Sequence, residues 1–303
     1  MFDRVLLLTD VSDNPELTFK PLAQIAKTCS SKVYIFHAMR GSSDLFYLED
    51  EVRALIDKQA RDRVEPPLLA LQKQLKAEHD IDAEIVLRVG SFFDLAVAVL
   101  NELDIDLVVI PTEGHKEYTG RVIGSATAKI IRDSDVSVLT VNSSFAGYQE
   151  RWHGFHRVVH PVDFSEGGAE ALRASEDFCA EFGGRLEVAH VIQPIHQQVL
   201  ETPEGQVLLP KDMQYQIRSK QEARLSDIAH TITRVPAAWK LIEDNKPGSG
   251  IMAWADRSEV DLIVVPPVGH DSTRNTVLGS VAEHVIKHAR SPVLTLKSKP
   301  SSS

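Results

Sequence analysis

The sequence predicts an α/β protein built from two tandem copies of one domain, each an open parallel sheet with helices on both faces. Three observations predict it. Short strand-like runs alternate with helical stretches, the runs are almost continuously apolar, and the whole pattern recurs about 153 residues later. Continuous apolarity is what a strand needs when helices cover both of its faces, and alternation of strand with helix implies right-handed parallel crossovers.

The repeat is legible residue by residue. "RVLLLTDVSDNPE" from Arg4 aligns with "RVVHPVDFSEGGAE" from Arg157, so that Asp10 falls on Asp163, and His37 in "VYIFHAM" falls on His190 in "LEVAHVI". Both pairs stand 153 positions apart. Asp106 in "DIDLVVI" meets Asp261 in "EVDLIVV", and Gly114 meets Gly269, each 155 positions on. So small a drift over so long a stretch marks a duplicated domain.

In the first copy, strands are expected at about Arg4–Thr9, Lys32–Ala38, Ala83–Arg88, Asp106–Pro111 and Ser137–Val141. Helices are expected in "ELTFKPLAQIAKTC", in "YLEDEVRALIDKQARDRVEPPLLALQKQLKAE", in "FFDLAVAVLNEL" and in "SATAKIIRD". Pro66 and Pro67 are expected to kink or split the long one, because proline lacks the amide that continues a helix. The second copy repeats the plan, with a loop expected around "QPIHQQVLETPEGQVLLP". The expected domains are residues 1–143 and 154–298, joined by a polar and aromatic linker at 144–153 and followed by a tail at 299–303.

Composition bounds the function. The 303 residues are 43% hydrophobic and 25% charged, an ordinary globular mix, with a formal charge of −10 and no Lys/Arg run. A polyanion would be repelled, so no nucleic-acid partner is expected. The N-terminus "MFDRVLLLTD" lacks the charged leader and long apolar region of a signal peptide, and no segment approaches the roughly 20 apolar residues of a membrane span, so a cytoplasmic protein is expected. Cys29 and Cys179 are read as reduced thiols within helices. No HExxH, no Cys/His spacing and no Asp-rich loop points to a metal, and no GxxxxGK[ST] or GxSxG points to P-loop or serine chemistry. "GSGIMA" from Gly248 looks like half of a dinucleotide fingerprint but follows the third strand, and is read as a turn and helix start.

The ligand crevice of an open parallel sheet lies beyond the carboxyl ends of strands where strand order reverses. Two strand ends stand out in each copy. The first strand ends in Thr9 and Asp10, and in Pro161, Val162 and Asp163; the fourth runs into "GHKEYTGRVIGSATAKII" from Gly114 and "GHDSTRNTVLGSVAEHVI" from Gly269. Glycines at 114 and 269 allow positive φ and close approach. Gly124-Ser125 and Gly279-Ser280 come where a helix begins, with free amides and the positive end of its dipole, an arrangement suited to an anion. A carboxylate at the first strand end adds an acceptor for a base amine or ribose hydroxyl.

On these residues the chain resembles the tandem form of the universal stress protein family over essentially its whole length. The resemblance implies an adenine nucleotide alpha hydrolase-like fold, two five-stranded sheets in order 3-2-1-4-5, and in the ATP-binding branch a loop G-x2-G-x9-G-[S/T]. Both copies match its last three elements, and "PVDFSEGGAEAL" and "SPVLTL" resemble the family's first and last strands. By that resemblance Asp10 and Asp163 lie at the adenine end with Ala38 and Val191 beside the base. Gly114, Gly124, Ser125 and Ala126, and likewise Gly269, Gly279, Ser280 and Val281, hold ribose and phosphates. Proline replaces the family's first glycine in both copies, at Pro111 and Pro266, and removes an amide there.

Plainer readings exist. Ser125 and Ser280 are also candidate helix N-caps, Asp10 and Asp163 candidate loop stabilisers, His115 and His270 candidate exposed loop histidines, and His37 and His190 candidate hydrogen-bonded core histidines. Three functions follow. The first is a stress-response protein binding an adenine nucleotide, ATP with or without Mg2+, in one or both domains and acting by conformation or association with an unknown protein partner. The second is an interaction module or small-ligand sensor with degenerate sites; the third is a slow ATPase, for which no residue is an evident base or nucleophile. The apolar last strands, "VSVLTV" and "SPVLTL", are expected to pair the two domains as an intramolecular pseudo-dimer, with a homodimer as a further option.

Overall fold

Five runs of β-branched residues and leucine become the strands of the first unit: β1 (Arg4–Leu8), β2 (Lys32–Met39), β3 (Ala83–Val89), β4 (Leu107–Pro111) and β5 (Ser137–Val141). The computed structural model describes residues 1–9, 15–39, 42, 47–112, 125–165, 168–194, 199–202, 205–208, 210–266 and 278–297. Its chain divides into Met1–Gly154 and Phe155–Ser303. In the first unit β1 pairs in parallel with β2 and β4, β2 with β3, and β4 with β5, so the sheet runs β3-β2-β1-β4-β5. The helices are α1 (Phe19–Cys29), α2 (Asp50–His79), α3 (Phe92–Glu102) and α4 (Ser125–Asp133). Helix α1 packs beside α2, and α3 beside α4. Leu6, Leu7, Leu8, Ile35 and Phe36 of the sheet are fully buried, as are Phe19, Leu22 and Ile25 of α1 and Leu68 of α2.

The second unit repeats this with β6 (Arg157–Pro161), β7 (Arg185–Ile192), β10 (Ala237–Glu243), β11 (Leu262–Val265) and β12 (Val293–Thr295), paired in parallel in the order β10-β7-β6-β11-β12. Its helices are α5 (Gly168–Phe182), α6 (Lys211–Thr231), α7 (Pro247–Arg257) and α8 (Ser280–His288). Fine features of the backbone recur. Helix α1 ends on Ser30 at φ 53°, and Gly183 follows α5 at φ 66°. Asp104 and Glu259 adopt φ 45° and 48° ahead of the fourth strand in each unit.

Asp106 and Asp261 show why the two acids recur. Asp106 Oδ2 accepts from the amides of Asp3 (2.8 Å) and Arg4 (3.0 Å), and Asp261 Oδ2 accepts from His156 (3.2 Å) and Arg157 (2.8 Å). Each carboxylate therefore holds the start of the first strand against the start of the fourth, which sets the register at the reversal.

Three local expectations are corrected. Helix α2 runs unbroken through Pro66 and Pro67. The carbonyls those prolines leave without a donor belong to Asp62 and Arg63, which are exposed and reach water, while the packed half of the helix, with Leu68, Leu71 and Leu75 buried, begins just after. The loop expected in the second copy contains an antiparallel pair of strands, β8 (Val199–Thr202) with β9 (Gly205–Leu208). Residues 144–153 carry a 3-10 turn, Ser143–Gly147, and a packed aromatic group: Phe145 lies edge-on to Tyr148 and Trp152, all three buried, and Lys20 Nζ donates to the carbonyl of Gln149. Burial of three aromatics is what turned the segment from linker into structure.

Candidate functional site

At the reversal in the first unit, β1 lies between β2 and β4, and the helices after β1 and β4 pack with different partners, α1 with α2 and α4 with α3. The ends of β1 and β4 therefore lie at the reversal of strand order, where an open parallel sheet places its ligand crevice. Thr9 sits at the end of β1, Ala38 near the end of β2 and Pro111 at the end of β4. In the second unit Pro161, Val162 and Asp163 end β6, Val191 lies near the end of β7, and Pro266 follows β11. Ala38, Pro111, Pro161, Val162, Val191 and Pro266 are half-buried and Asp163 is exposed, while Thr9 remains buried. Asp10, Gly114, His115, Gly124, Gly269 and His270 lie outside the described residues, and of Ser125 and Ala126 only the backbone, opening α4, is described.

The strand ends are fastened identically in both units. His37 Nδ1 lies 2.8 Å from the carbonyl oxygen of Thr9, and His190 Nδ1 lies 2.7 Å from that of Val162. A carbonyl only accepts, so Nδ1 carries the proton in each ring. Thr9 N donates to Phe36 O (3.2 Å) and Val162 N to Ala189 O (2.8 Å), which completes a two-point attachment of the first strand's tip to the second strand. Burial lowers the His190 pKa below its ordinary value, with the Val162 carbonyl working the other way and Arg224 adding to the fall. These histidines are positioning residues for the strand tip, as the plainer sequence reading had them.

The prolines can be oriented from the amides beside them, because successive amides of a strand point to alternate sides. Thr112 N donates to Val141 O on β5, so position 111 faces β1. Ile263 N donates to Pro292 O on β12, so position 266 faces β6; Val162 N points to β7, so position 161 faces β11. Pro111 and Pro266 thus each remove a donor from the side of the cleft. Pro161 removes a third, and the pairing records it: β1 and β4 pair as far as Leu7–Val109, whereas β6 and β11 stop one pair sooner, at Val159–Ile263.

Beyond β6, Asp163 Oδ1 accepts from Ser165 N at 3.0 Å, an Asx turn that fixes the loop. Phe164 takes φ 60° there, its ring 4.2 Å from that of His190 and with the Arg224 guanidinium 4.1 Å from its centre. A positive φ is costly for a bulky residue, and this stack offsets the cost. At the helix of the glycine motif, Gly279 is the N-cap of α8, Ser280 is its first helical residue and exposed, and Val281 follows half-buried. Ser280 is therefore not the cap, and the N-cap, a glycine, offers the first-turn amides no side-chain acceptor.

Gly248 and Gly250 lie in the first turn of α7 after Pro247, as the helix-start reading expected, and packing explains both. A Cβ on Gly248 would come 2.6 Å from His284 Cδ2, and one on Gly250 would come 2.7 Å from Asp244 Cβ. The first unit has Phe93 where the second has Gly248, and Lys129 where it has His284; there the lysine Nζ lies 3.7 Å from the phenyl centre. One helix contact is filled from opposite sides in the two copies.

Sequence reasoning passed over His160. It interrupts the apolar β6, is 1% exposed, and lies with Nδ1 2.8 Å from Ser175 Oγ on α5. Burial lowers its pKa to about 4. The signal was present as a single imidazole in "RVVHPVD" where the first copy has "RVLLLTD". Asn142 was passed over too: its Nδ2 donates to Thr112 Oγ1 (3.2 Å), tying the end of β5 to the residue after β4.

Among the described residues no group of three or more His, Cys, Asp or Glu could hold a metal ion, and no helix is long and apolar enough to cross a membrane. Comparison with known proteins gives the same answer for both halves. The profile of the universal stress protein family matches residues 1–142 and 154–297. A universal stress protein of Methanocaldococcus jannaschii is 26% identical over 153 residues, 47% of this chain and 82% of its own. One from Thermus aquaticus is 23% identical over 143 residues, 47% of this chain and 99% of its own. The crystal structure of a universal stress protein from Archaeoglobus fulgidus covers 97% of this chain and 98% of its own with a TM-score of 0.64 at 20% identity, a likeness of fold.

Proposed function

The chain belongs to the universal stress protein family in both of its halves, and from that premise we propose that it is a stress-response protein that binds an adenine nucleotide, ATP with Mg2+, at the carboxyl ends of the first and fourth strands. One observation carries this reading: in each unit the same side of the reversal combines a fastened first-strand tip with a helix that begins at the Gly-Ser pair. His37 holds Thr9 and His190 holds Val162, while α4 opens at Ser125 and α8 at Ser280 behind Gly279. On this reading Asp10 or Asp163, next along from the fastened strand end, meets the base or ribose, and the first-turn amides of the helix meet the phosphates. Ala38 and Val191 flank the base; Gly114, His115, Gly124 and Ala126, with Gly269, His270 and Val281, complete the lining. The chain acts by ligand-dependent conformation or association. Titration calorimetry with MgATP on protein stripped of carried-over ligand tests it, and absence of heat at concentrations well above micromolar counts against it.

The prolines favour a second reading. Pro111 and Pro266 take away a main-chain donor on the cleft side in both units, which suits a module that has given up nucleotide for a protein partner or another small ligand. That reading predicts that Gly124→Val and Gly279→Val, which crowd a phosphate, leave the cellular phenotype intact.

A further inference from the structure

His160 and Ser175 occupy the places that Leu7 and Leu22 hold in the first unit, each 153 residues on. All four side chains are buried, so the duplication has replaced two leucines with one hydrogen bond inside the packed layer between β6 and α5. Ser175 Oγ donates to Ala171 O at 2.9 Å, so the hydroxyl accepts from His160 Nδ1, and burial, which lowers the pKa to about 4, keeps the ring neutral near pH 7. Its surroundings are apolar. The register partner on β7 is Val188, and the next residue along β11 is Val264. Glu187 on β7 faces the other side of the sheet. Glu176, beside Ser175, is committed through Oε1 to the amides of Thr233 and Arg234, each at 2.7 Å. On the side of His160, His190 donates to Val162 and stands near Arg224 of α6, and Asp163 is the carboxylate that favours a charged ring.

We propose that the second unit carries an acid-responsive catch: protonation of His160 expels its ring from the layer, releases α5 from β6, and loosens the strand tip bearing Pro161, Val162 and Asp163, while the first unit stays closed. On its other side the tip lacks one bond, because Pro161 has no amide with which to continue pairing to β11. An imidazolium in apolar packing is destabilised far more than the neutral ring. Burial holds the His160 pKa at about 4 against an ordinary 6.5. Between those values the open form binds a proton that the closed form does not, so closure is fully stable above pH 6.5 and weakens as pH falls. The opening constant rises by up to about tenfold per pH unit for one such group. His190, also lowered, adds in the same direction.

Cys179 supplies the readout. It lies on α5 one turn beyond Ser175, is fully buried, and its thiol is pushed up to about 12 by burial, so it is inert while α5 is docked. The full chain is labelled with dithiodipyridine, which reacts with thiols below neutral pH, at pH 7.5, 6.0 and 5.0. Modification of the Cys179 and Cys29 peptides is followed by mass spectrometry and referred to a free-peptide thiol. Cys179 labelling is expected to rise several-fold, up to about tenfold, from pH 6.0 to 5.0, with Cys29 of the first unit unchanged. His160→Leu/Ser175→Leu, which copies the first unit, and His160→Gln, which keeps a donor without titrating, are each expected to remove most of the rise, leaving only the smaller part that His190 adds. A rise undiminished in the folded variants, or no rise in the native chain, overturns the proposal.

Discussion

At the residue scale the cleft is defined as much by absent donors as by present ones. Pro111 and Pro266 end or follow the fourth strand with their imino nitrogens toward the first strand, where a glycine would offer an N–H. Pro111→Gly and Pro266→Gly are each expected to tighten ATP binding several-fold, since one net hydrogen bond contributes about 1 kcal/mol. Calorimetry checks this, and weaker binding would mean that the proline ring itself lines the ligand. The two glycines of α7 give a sharper contrast. Replacing a helical glycine with alanine gains about 1 kcal/mol of propensity, but at Gly250 the new Cβ meets Asp244 Cβ, an atom fixed to the main chain, at 2.7 Å. Gly250→Ala is expected to lose about 1–3 kcal/mol in urea unfolding, by overpacking. At Gly248 the obstacle is the His284 ring, which can turn, so Gly248→Ala is expected to cost less. The prolines were legible in the sequence because a motif position contradicted them. His160 was not, because one polar residue in an apolar strand has no meaning until the helix facing it, and Ser175 on that helix, are known.

At the scale of elements, the repeated acids do work that no single copy announces. Asp106 and Asp261 look like ordinary strand-leading carboxylates in sequence, yet each takes two main-chain amides of the segment opening the first strand. Asp261→Ala is expected to destabilise its unit by about 2 kcal/mol, since hydrogen bonds to a charged acceptor are the stronger kind and two part-buried amides would lose their partner. Asp106→Ala is expected to cost less, because Asp106 is only half-buried and Asp261 is 8% exposed. Urea unfolding of the two variants gives the order. The strands were readable because burial on both faces writes unbroken apolar runs, and α4 because its apolar residues fall on one face after a Gly-Ser start. The strand pair β8–β9 was not, since two four-residue strands carry too little pattern to separate from a loop. Helix α2 was misjudged at Pro66 for a physical reason: exposed carbonyls can lose their helical donors to water without breaking the helix.

At the scale of the whole molecule, a duplicated chain carries its own control, because each place where the copies differ isolates one physical change against a constant fold. Leu7 with Leu22 against His160 with Ser175 is such a pair, and so is Phe93 with Lys129 against Gly248 with His284. The cleft offers another. Both units keep the fastening histidine and the Gly-Ser helix start, so two nucleotides per chain are expected. They are not expected to bind equally. The first unit has one proline facing its cleft, at 111, and keeps a Leu8 amide for its sheet; the second has prolines at both 161 and 266, and its first and fourth strands diverge a pair sooner. A cleft whose flanking strands part sooner holds its ligand less firmly, so the second unit is expected to be the weaker site. Gly124→Val and Gly279→Val, which add a side chain to the Gly-Ser pair of each copy, separate the two. Calorimetry of native chain and both variants should give two sites, then one weak, then one strong; a single site indifferent to both substitutions would place the ligand elsewhere.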